Sequence, residues 1–411
     1  MTLTTASDTL PVITGMGVVA PNGLGRQAFW EALRSGRSGL RPIERFDAGD
    51  YPVRIAGEVT DFTVAEHIPS RLIPSTDRST QFALACSDWA LADAGVVPTE
   101  MGEFDGSVVT ANALGGVEFI QHELQSLWSK GPRHVTAYMS YAWFYGVNTG
   151  QISIRHQLKG PSGVVVTGQA GGLDALGAAR RKVRDGRRYV VTGGADAPIC
   201  PYGIAAELTT GLLSSETDPS AAYLPFDRRA SGHVPGEGAA MMIIESLWAA
   251  RERGATQIYG AITGYGATFD PAPDSGRPPT LDKAIRIALG DAGLSAADID
   301  VVFADGAATT SGDSLEADAI VSVFGPRGVP VSVPKTTTGR MYGASGAIDV
   351  VTALLSLRAN EIPPTVGSRE LVAEHAIDLV TALRSTPLTH ALVLARDSGG
   401  FNAAVVVSRL N

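Results

Sequence analysis

The sequence predicts a large α/β protein built from two halves, each rich in βαβ units. Along the chain, short and continuously apolar runs alternate with stretches of helical periodicity. The chain has 411 residues, which exceeds the size at which a single simple core keeps growing. A hydrophobic fraction of 44% and a charged fraction of only 18% exclude a disordered protein and provide for a large buried core.

In the first half, a small-residue helix is predicted between two strands. Residues 164–168, VVVTG, are predicted to form a strand, residues 170–184 a helix, and residues 188–194, RYVVTGG, a second strand. This order is that of a βαβ unit. Because the runs are apolar throughout, we expect strands that are covered on both faces.

The second half shows the same alternation. It is predicted to contain strands at 301–306 and 329–333, helices at 315–325 and 348–358, and a closing hairpin of 391–397 with 403–410. The polar helix WAARERGATQ marks a boundary near 249–256. We therefore expect halves of residues 1–255 and 256–411 within one compact unit. Their comparable content indicates a structural duplication that is not visible as sequence identity.

The composition excludes several classes of protein. A net charge of −9 argues against nucleic-acid binding, which needs a basic face. The two cysteines, Cys86 and Cys200, exclude a disulfide framework and indicate a reducing cytoplasm. The first residues lack the basic start and apolar run of a signal peptide. No run approaches the roughly 20 apolar residues of a membrane span, so we expect no membrane partner.

Sequence motifs for cofactor or metal binding are absent or incomplete. Residues 12–23, VITGMGVVAPNG, contain a G-x-G-x-x-A pattern, but a Pro-Asn-Gly turn follows where a dinucleotide-binding helix should open. No phosphate-binding loop and no G-x-S-x-G elbow occur. The histidines show no metal-binding spacing, so we expect no metal and interpret each as exposed or hydrogen-bonded: His67, His122, His134, His156, His233, His375 and His390. Cys86 and Cys200 are interpreted as core residues.

The most informative stretch is VVVTGQAGGLDALGAARR. A strand is predicted to end at Gly168 and a helix to start directly afterwards, which leaves Gln169 on the corner. Such a corner exposes one side chain and directs free backbone N–H groups at it. Many enzymes place a serine or cysteine nucleophile there. An amide cannot form a useful acyl intermediate.

At this point the sequence resembles the β-ketoacyl synthase family of the thiolase fold, and within it the chain length factors, or ketosynthase β subunits, of type II polyketide synthases. The resemblance covers nearly the whole chain. It implies five layers in the order α-β-α-β-α. The matching stretches include KGPSGVVVTGQAGGLDALGAARR, AYLPFDRRASGHVPGEGAA, VVFADGA, VPKTTTGRMYGASGAIDVVTALLSLR and ALVLARDSGGFNAA.

The resemblance assigns the site residues. Gln169, Asp305 and Arg340 stand where active members carry Cys, His and His, while Lys335 and Glu316 keep the family's residue types. Condensation needs a thiolate, which Gln169 cannot supply. An ionised Asp305 would repel an enolate, and Arg340 cannot act as a base. We therefore expect a site that is dead for condensation and an Asp305–Arg340 ion pair.

The resemblance also implies partners: a Cys-bearing ketosynthase α subunit in a heterodimer, an acyl carrier protein and a polyketide intermediate. Tyr141, Trp143, Phe144 and Tyr145 are the expected interface residues, because aromatic side chains are enriched in interface cores. Val117, Ile120, Leu124 and Tyr202 match the family's tunnel residues, and the first three share one helical face. Ordinary core packing is the alternative for both sets.

Two other functions are considered. Loading domains of the same family carry glutamine at this corner and decarboxylate a malonyl carrier protein; the N–H groups of the corner could hold the thioester oxygen. Against this, Asp305 and Arg340 replace both histidines on which those domains rely. The third is a structural homodimer. The resemblance favours a catalytically silent subunit that shapes a tunnel and sets chain length. The loop around Asp397 differs from the family, where small residues are common.

Overall fold

The computed structural model describes residues 9–410, and within this range the chain forms sixteen β-strands and eleven α-helices. The expectation about a signal peptide falls largely on residues 1–8, which lie outside the described residues. The strands are β1 Pro11–Ala20, β2 Gly23–Leu24, β3 Leu40–Pro42, β4 Ile55–Gly57, β5 Gly106–Ala111, β6 Gly163–Val165, β7 Tyr189–Asp196, β8 Gly238–Ser246, β9 Gly260–Phe269, β10 Val301–Phe303, β11 Pro330–Ser332, β12 Glu361–Ile362, β13 Asp378–Leu379, β14 Arg384–Ser385, β15 His390–Arg396 and β16 Phe401–Ser408. The helices are α1 Gly25–Arg34, α2 Val64–His67, α3 Arg78–Ala94, α4 Val117–Lys130, α5 Val147–His156, α6 Gly171–Arg184, α7 Pro201–Leu208, α8 Leu247–Glu252, α9 Leu281–Ala292, α10 Thr310–Phe324 and α11 Ser345–Ala359.

The main sheet contains the same five-strand arrangement twice. The strand order is β1–β8–β7–β5–β6 in the first half and β9–β16–β15–β10–β11 in the second. In each set the first two pairs are antiparallel and the next two are parallel. Short antiparallel pairing of β1 with β9 joins the sets. The predicted pseudo-symmetry of two βαβ-rich halves is therefore confirmed.

Alternate side chains of the central strands face either the central core or an outer helix, and this arrangement produces the five layers. On β8, Met242 and Ile244 point into a central core that includes Leu173 of α6, whereas Met241 and Ile243 point into an outer core with α3. On β16, odd-numbered valines face the central core and even-numbered residues face α9. Helices α6 and α11 pack against each other between the two halves of the sheet. The order α-β-α-β-α is confirmed.

The glycines of the G-x-G pattern serve packing. Gly15 and Gly17 lie within β1, where a Cβ would come 2.2 Å from the carbonyl oxygen of Ala90 and 2.1 Å from that of Cys86, both on α3. The second half repeats this device, because Gly264 and Gly266 of β9 approach α9 equally closely. The glycines let an outer helix lie directly on its strand.

One detail differs from the sequence expectations. The strand predicted at 164–168 is the short β6, which lies at the end of the sheet with Val164 and Val166 exposed. The expectation of burial on both faces is therefore wrong for this strand, because Val165 packs against the central core while Val164 and Val166, on the opposite face, are exposed. The predicted boundary at 255/256 lies between α8 and β9, and the division into residues 1–255 and 256–411 stays a prediction.

Candidate functional site

The predicted corner is present between β6 and α6. Residues Gly168–Ala170 form a single helical turn, and Gln169 is buried at its centre. The side-chain oxygen of Gln169 has no hydrogen-bond partner among the described residues. Its backbone N–H donates to Oδ2 of Asp397 at 3.1 Å. The corner therefore presents an unreactive amide, and its backbone donor is already bound to a carboxylate.

Asp305 and Arg340 form the ion pair that the sequence predicted. Nη2 of Arg340 donates to both carboxylate oxygens of Asp305, at 2.7 and 2.6 Å. Both side chains are buried. Burial lowers the pKa of Arg340, but the charge and hydrogen bond of Asp305 and the influence of other neighbouring groups together outweigh burial, and the pKa is raised. Arg340 therefore remains charged and cannot act as a general base.

Two further carboxylates hold the loop around Asp305. Glu316 of α10 accepts the backbone N–H groups of Asp305 and Gly306 at 2.7 and 2.8 Å. Asp313 accepts the N–H groups of Phe226 and Ala308. Burial raises the pKa of Asp313 to about 7, and burial followed by the charge of Asp305 raises that of Glu316. These contacts fix the position of Asp305.

Lys335 is buried in a second ion pair. Its Nζ lies 2.6 Å from Oδ2 of Asp349 on α11. Burial raises the pKa of Asp349 to about 6, and the Lys335 charge opposes this rise. Lys335 precedes the Arg340 segment, and Thr338 and Gly339 between them both donate backbone N–H groups to its carbonyl oxygen. The pair therefore anchors the segment that presents Arg340.

His233 corrects the sequence interpretation. It was expected to be exposed or hydrogen-bonded, yet it is buried, and neither ring nitrogen has a hydrogen-bond partner among the described residues. Burial, followed by the charge of Arg340, lowers its pKa far below the usual value. His233 is therefore a neutral imidazole. It lies in the stretch AYLPFDRRASGHVPGEGAA that carried the resemblance, but no charge partner near it in sequence revealed its environment.

Consecutive residues at the end of β15 connect the corner to the ion pair. The carbonyl oxygen of Arg396 accepts from Nη2 of Arg340 at 3.2 Å, while the side chain of Asp397 contacts Gln169. A cavity of about 710 Å³ opens beside them. Its lining includes Asp305, Arg340, His233, Asp397, Phe269 and Leu315. Sequence reasoning noted Asp397 as unusual but missed its contact with the corner.

Helix α4 carries three of the predicted tunnel residues. Val117 is buried at its first position, and Ile120 and Leu124 are partly exposed. Tyr202 is the second residue of α7, which packs against α4, and its backbone N–H donates to Oε1 of Gln121 at 2.7 Å. The structure thus brings all four residues to one region. Their role in a tunnel stays a prediction.

The predicted interface residues form an aromatic segment at 141–145. Trp143, Phe144 and Tyr145 are exposed, and Tyr141 is partly exposed. Phe144 lies between the other two exposed rings, with centroid distances of 5.8 and 5.9 Å. Exposed aromatic rings that are already ordered favour a contact surface over core packing. Their contact with a partner stays a prediction.

The two cysteines lie in the protein core. Cys86 and Cys200 are both buried free cysteines, as expected. Within residues 9–410, no cluster of three or more His, Cys, Asp or Glu side chains is arranged to hold a metal ion. In the same range, every helix is too short or too polar to cross a membrane.

Family models settle the relationship. The N-terminal domain model of β-ketoacyl synthases matches residues 11–250, and the C-terminal domain model matches residues 259–369. The chain belongs to the β-ketoacyl synthase family.

Within this family, two similar curated relatives are named as polyketide proteins. A β-ketoacyl synthase 2 named for the actinorhodin polyketide of Streptomyces coelicolor is 54% identical, with 97% of this chain and 98% of the relative covered. The tetracenomycin ketoacyl synthase β subunit of Streptomyces glaucescens is 52% identical, with the same coverage. The resemblance to ketosynthase β subunits of type II polyketide synthases is confirmed.

Solved structures agree with the thiolase-like fold. The ishigamide ketosynthase/chain length factor aligns with a TM-score of 0.90 and 29% identity, over 98% of this chain and 99% of that one. A type II acyl-carrier protein complex with its ketosynthase bound to the hexaketide aligns with a TM-score of 0.88 and 27% identity, over 98% of this chain and 99% of that one.

Proposed function

We propose that this chain is the chain length factor of a type II polyketide synthase. It pairs with a Cys-bearing ketosynthase, contributes one wall of the tunnel that receives the growing poly-β-keto chain, and does not itself condense. The observation that carries this proposal is the combination of Gln169 at the nucleophile corner with the buried Asp305–Arg340 pair. Neither group supplies a thiolate or a general base.

The exposed apolar surface supports a partner protein. Trp143, Phe144 and Tyr145 of the aromatic segment are exposed in the single chain, as are Val164 of β6 and Val166 directly after it. Strand β6 also ends the sheet and leaves an edge at which another strand can pair. A second chain that covers both features would bury apolar area and would pair the backbone N–H and C=O groups at the edge of the sheet. We propose the ketosynthase as that chain, and the cytoplasm as the place where the complex works.

The alternative, decarboxylation of a malonyl carrier protein, is disfavoured by the corner itself. That reaction needs backbone donors free to hold a developing negative oxygen. The N–H of Gln169 is bound to the carboxylate of Asp397. A negative oxygen at that place would be repelled rather than stabilised.

Co-expression with a Cys-bearing ketosynthase and an acyl carrier protein tests the proposal. We expect a heterodimer, and a polyketide only when both chains are present. Phe144→Asp should prevent heterodimer formation, because it puts a charge into the apolar contact. Trp248→Asp is the matched control, since the two rings are 50% and 47% exposed and Trp248 lies on α8. A stable monomer that ignores the ketosynthase contradicts the proposal.

A further inference from the structure

The side chain of Asp397 is held in place by its own turn. It lies between β15 and β16, where its backbone N–H donates to the carbonyl oxygen of Phe401 and its own carbonyl oxygen accepts from Gly400, both at 2.9 Å. Oδ1 accepts the N–H of Gly399 at 2.8 Å. Oδ2 remains available and accepts the N–H of Gln169 at 3.1 Å. One carboxylate thus connects the C-terminal hairpin to the corner before α6.

The corner has room for this carboxylate only because residue 168 is glycine. Gly168 has a φ of +55°, and a Cβ there would lie 2.1 Å from Oδ2 of Asp397. Any other residue would collide with the carboxylate and would also strain the backbone. The contact between the hairpin and the corner is therefore a close fit.

The location has an electrostatic consequence. The corner leads into α6, a helix of 14 residues whose N-terminal N–H groups carry partial positive charge and attract anions. The N–H of Gln169 is the donor that would stabilise the negative oxygen of a bound thioester. Asp397 supplies a fixed anion to this donor. A second negative oxygen beside it would meet like charge instead of an open donor.

We propose that Asp397 is an internal anion that occupies the corner and prevents an acyl thioester from being bound or activated there. The inference rests on the proposed function, because it takes the corner to be non-catalytic. It adds a second block that is separate from the missing cysteine. Restoring a thiol at position 169 should then not be enough to restore a reactive thiolate, since the neighbouring carboxylate opposes ionisation.

The test measures that thiolate directly. Gln169→Cys, alone and combined with Asp397→Asn, is purified as the heterodimer and treated with iodoacetamide from pH 5 to 9, and alkylation of position 169 is followed by mass spectrometry. We expect the double variant to react at about one pH unit lower, which is about tenfold faster below the midpoint. Gln169→Cys with Asp218→Asn is the control, because Asp218 lies on an exposed loop. Cys86 and Cys200 are buried and serve as internal references.

Other charges surround the corner and stay constant in these variants. Asp174 of α6 accepts from Oγ1 of Thr167 at 2.6 Å. Glu207 of α7 and Arg340 interact through their charges with each other, and Glu207 also with Asp397. The difference between the profiles therefore reports Asp397 alone. Identical profiles for the single and double variants would overturn the proposal.

A second measurement does not depend on an introduced thiol. Asp397→Gly removes the internal anion, so added acetate should fill the vacated place and raise the thermal midpoint with the logarithm of its concentration once this exceeds the Kd. The parent protein and Asp218→Gly should show no such rise. Absence of an acetate effect in Asp397→Gly would contradict the proposal. Heterodimer formation and product length are measured on the same samples. A failure of the proposed function can therefore be distinguished from a failure of the proposal about Asp397.

Discussion

The backbone N–H of Gly116 donates to the carbonyl oxygen of Trp143 at 3.0 Å. Gly116 immediately precedes α4, the helix that carries Val117, and Trp143 belongs to the exposed aromatic segment. The proposed partner surface and the proposed tunnel wall are thus joined by one main-chain hydrogen bond. A shift of the aromatic segment on partner binding would be transmitted to the first turn of α4.

Gly116→Ala should weaken this connection. A Cβ at this position would lie 2.3 Å from the carbonyl oxygen of Ala142 and 3.0 Å from Cβ of Asp77, so the backbone must move. We expect a loss of about 1–3 kcal/mol in the free energy of unfolding, together with weaker heterodimer formation. Gly290→Ala on α9 is the control, because nothing lies within 4 Å of its Cβ position. Equal stability of the two variants would contradict the expectation.

Substitutions on α4 should change product length. Val117→Phe or Leu124→Phe adds volume to a packed wall, which costs about 1–3 kcal/mol. A penalty of about 1.4 kcal/mol on the last two-carbon unit shifts product ratios roughly tenfold. We expect shorter products from the Phe variants and longer products from Ile120→Gly, measured by mass spectrometry of heterodimer products.

Gln125→Phe is the control for these variants, because residue 125 is exposed on the same helix. It should leave product length unchanged. Unaltered length across all the wall variants, at normal yield, would mean that the tunnel ends elsewhere.

Breaking the buried ion pair should destabilise the chain. Arg340→Met leaves Asp305 charged and buried without its partner, which costs about 3–5 kcal/mol. Adding Asp305→Asn should recover part of this loss, because the unpaired charge is removed. Arg384→Met breaks a pair with Asp378 that is more than one-third exposed on each side, and should cost about 0–1 kcal/mol. Denaturant unfolding of the parent chain and the three variants measures these free energies, and an equal loss in Arg340→Met and Arg384→Met would contradict the expectation.

Stability should fall as pH rises through the range in which Asp77 titrates. Burial raises its pKa from 3.8 to about 6, although hydrogen bonds from Ser79 and Phe119 oppose the rise. The unfolded chain loses this proton near pH 4 and the folded chain near pH 6. The contribution of Asp77 is therefore complete below pH 4 and is lost as pH rises through 6. Asp77→Asn should flatten the pH dependence of unfolding between pH 4.5 and 7.

Asp291→Asn provides the contrast for this experiment. Burial raises the pKa of the Asp291 carboxylate, but hydrogen bonds from Arg180 and Tyr265 and the charges of Arg180 and Arg184 together outweigh burial, and the pKa is lowered. It titrates below the measured window. Its substitution should lower stability by a similar amount at each pH and leave the slope unchanged. A flattened slope in both variants would contradict the assignment to Asp77.

An acyl carrier protein with a radiolabelled acyl chain should leave no covalent label on this chain. Burial raises the pKa of the Cys86 thiol well above its usual value and that of Cys200 to about 11. Neither cysteine supplies a thiolate near pH 7. Label is expected only on the partner ketosynthase, as shown by peptide mapping of the separated chains. Label on Cys86 or Cys200 would mean that the nucleophile lies there.

Local patterns predicted much of the candidate site. The strand–corner–helix junction around Gln169 followed from apolar runs and small residues. The resemblance to ketosynthases placed Asp305 and Arg340 in the site, and their pairing was expected because buried charges need partners. By contrast, the isolation of His233 was missed. Its neighbours come from distant parts of the chain, such as Arg340 and Tyr342, and no periodicity reports them.

The sequence by itself determined the class of fold, the order of its elements and the absence of a nucleophile at Gln169, because these depend on residue type and on spacing within single elements. Only the tertiary structure decided that β6 ends the sheet and that Asp397 contacts Gln169. The order of the strands depends on how the two halves pack. So does the contact between Asp397 of the hairpin and Gln169 before α6, which lie 228 residues apart in the chain. Local propensity carries no information on such long-range contacts.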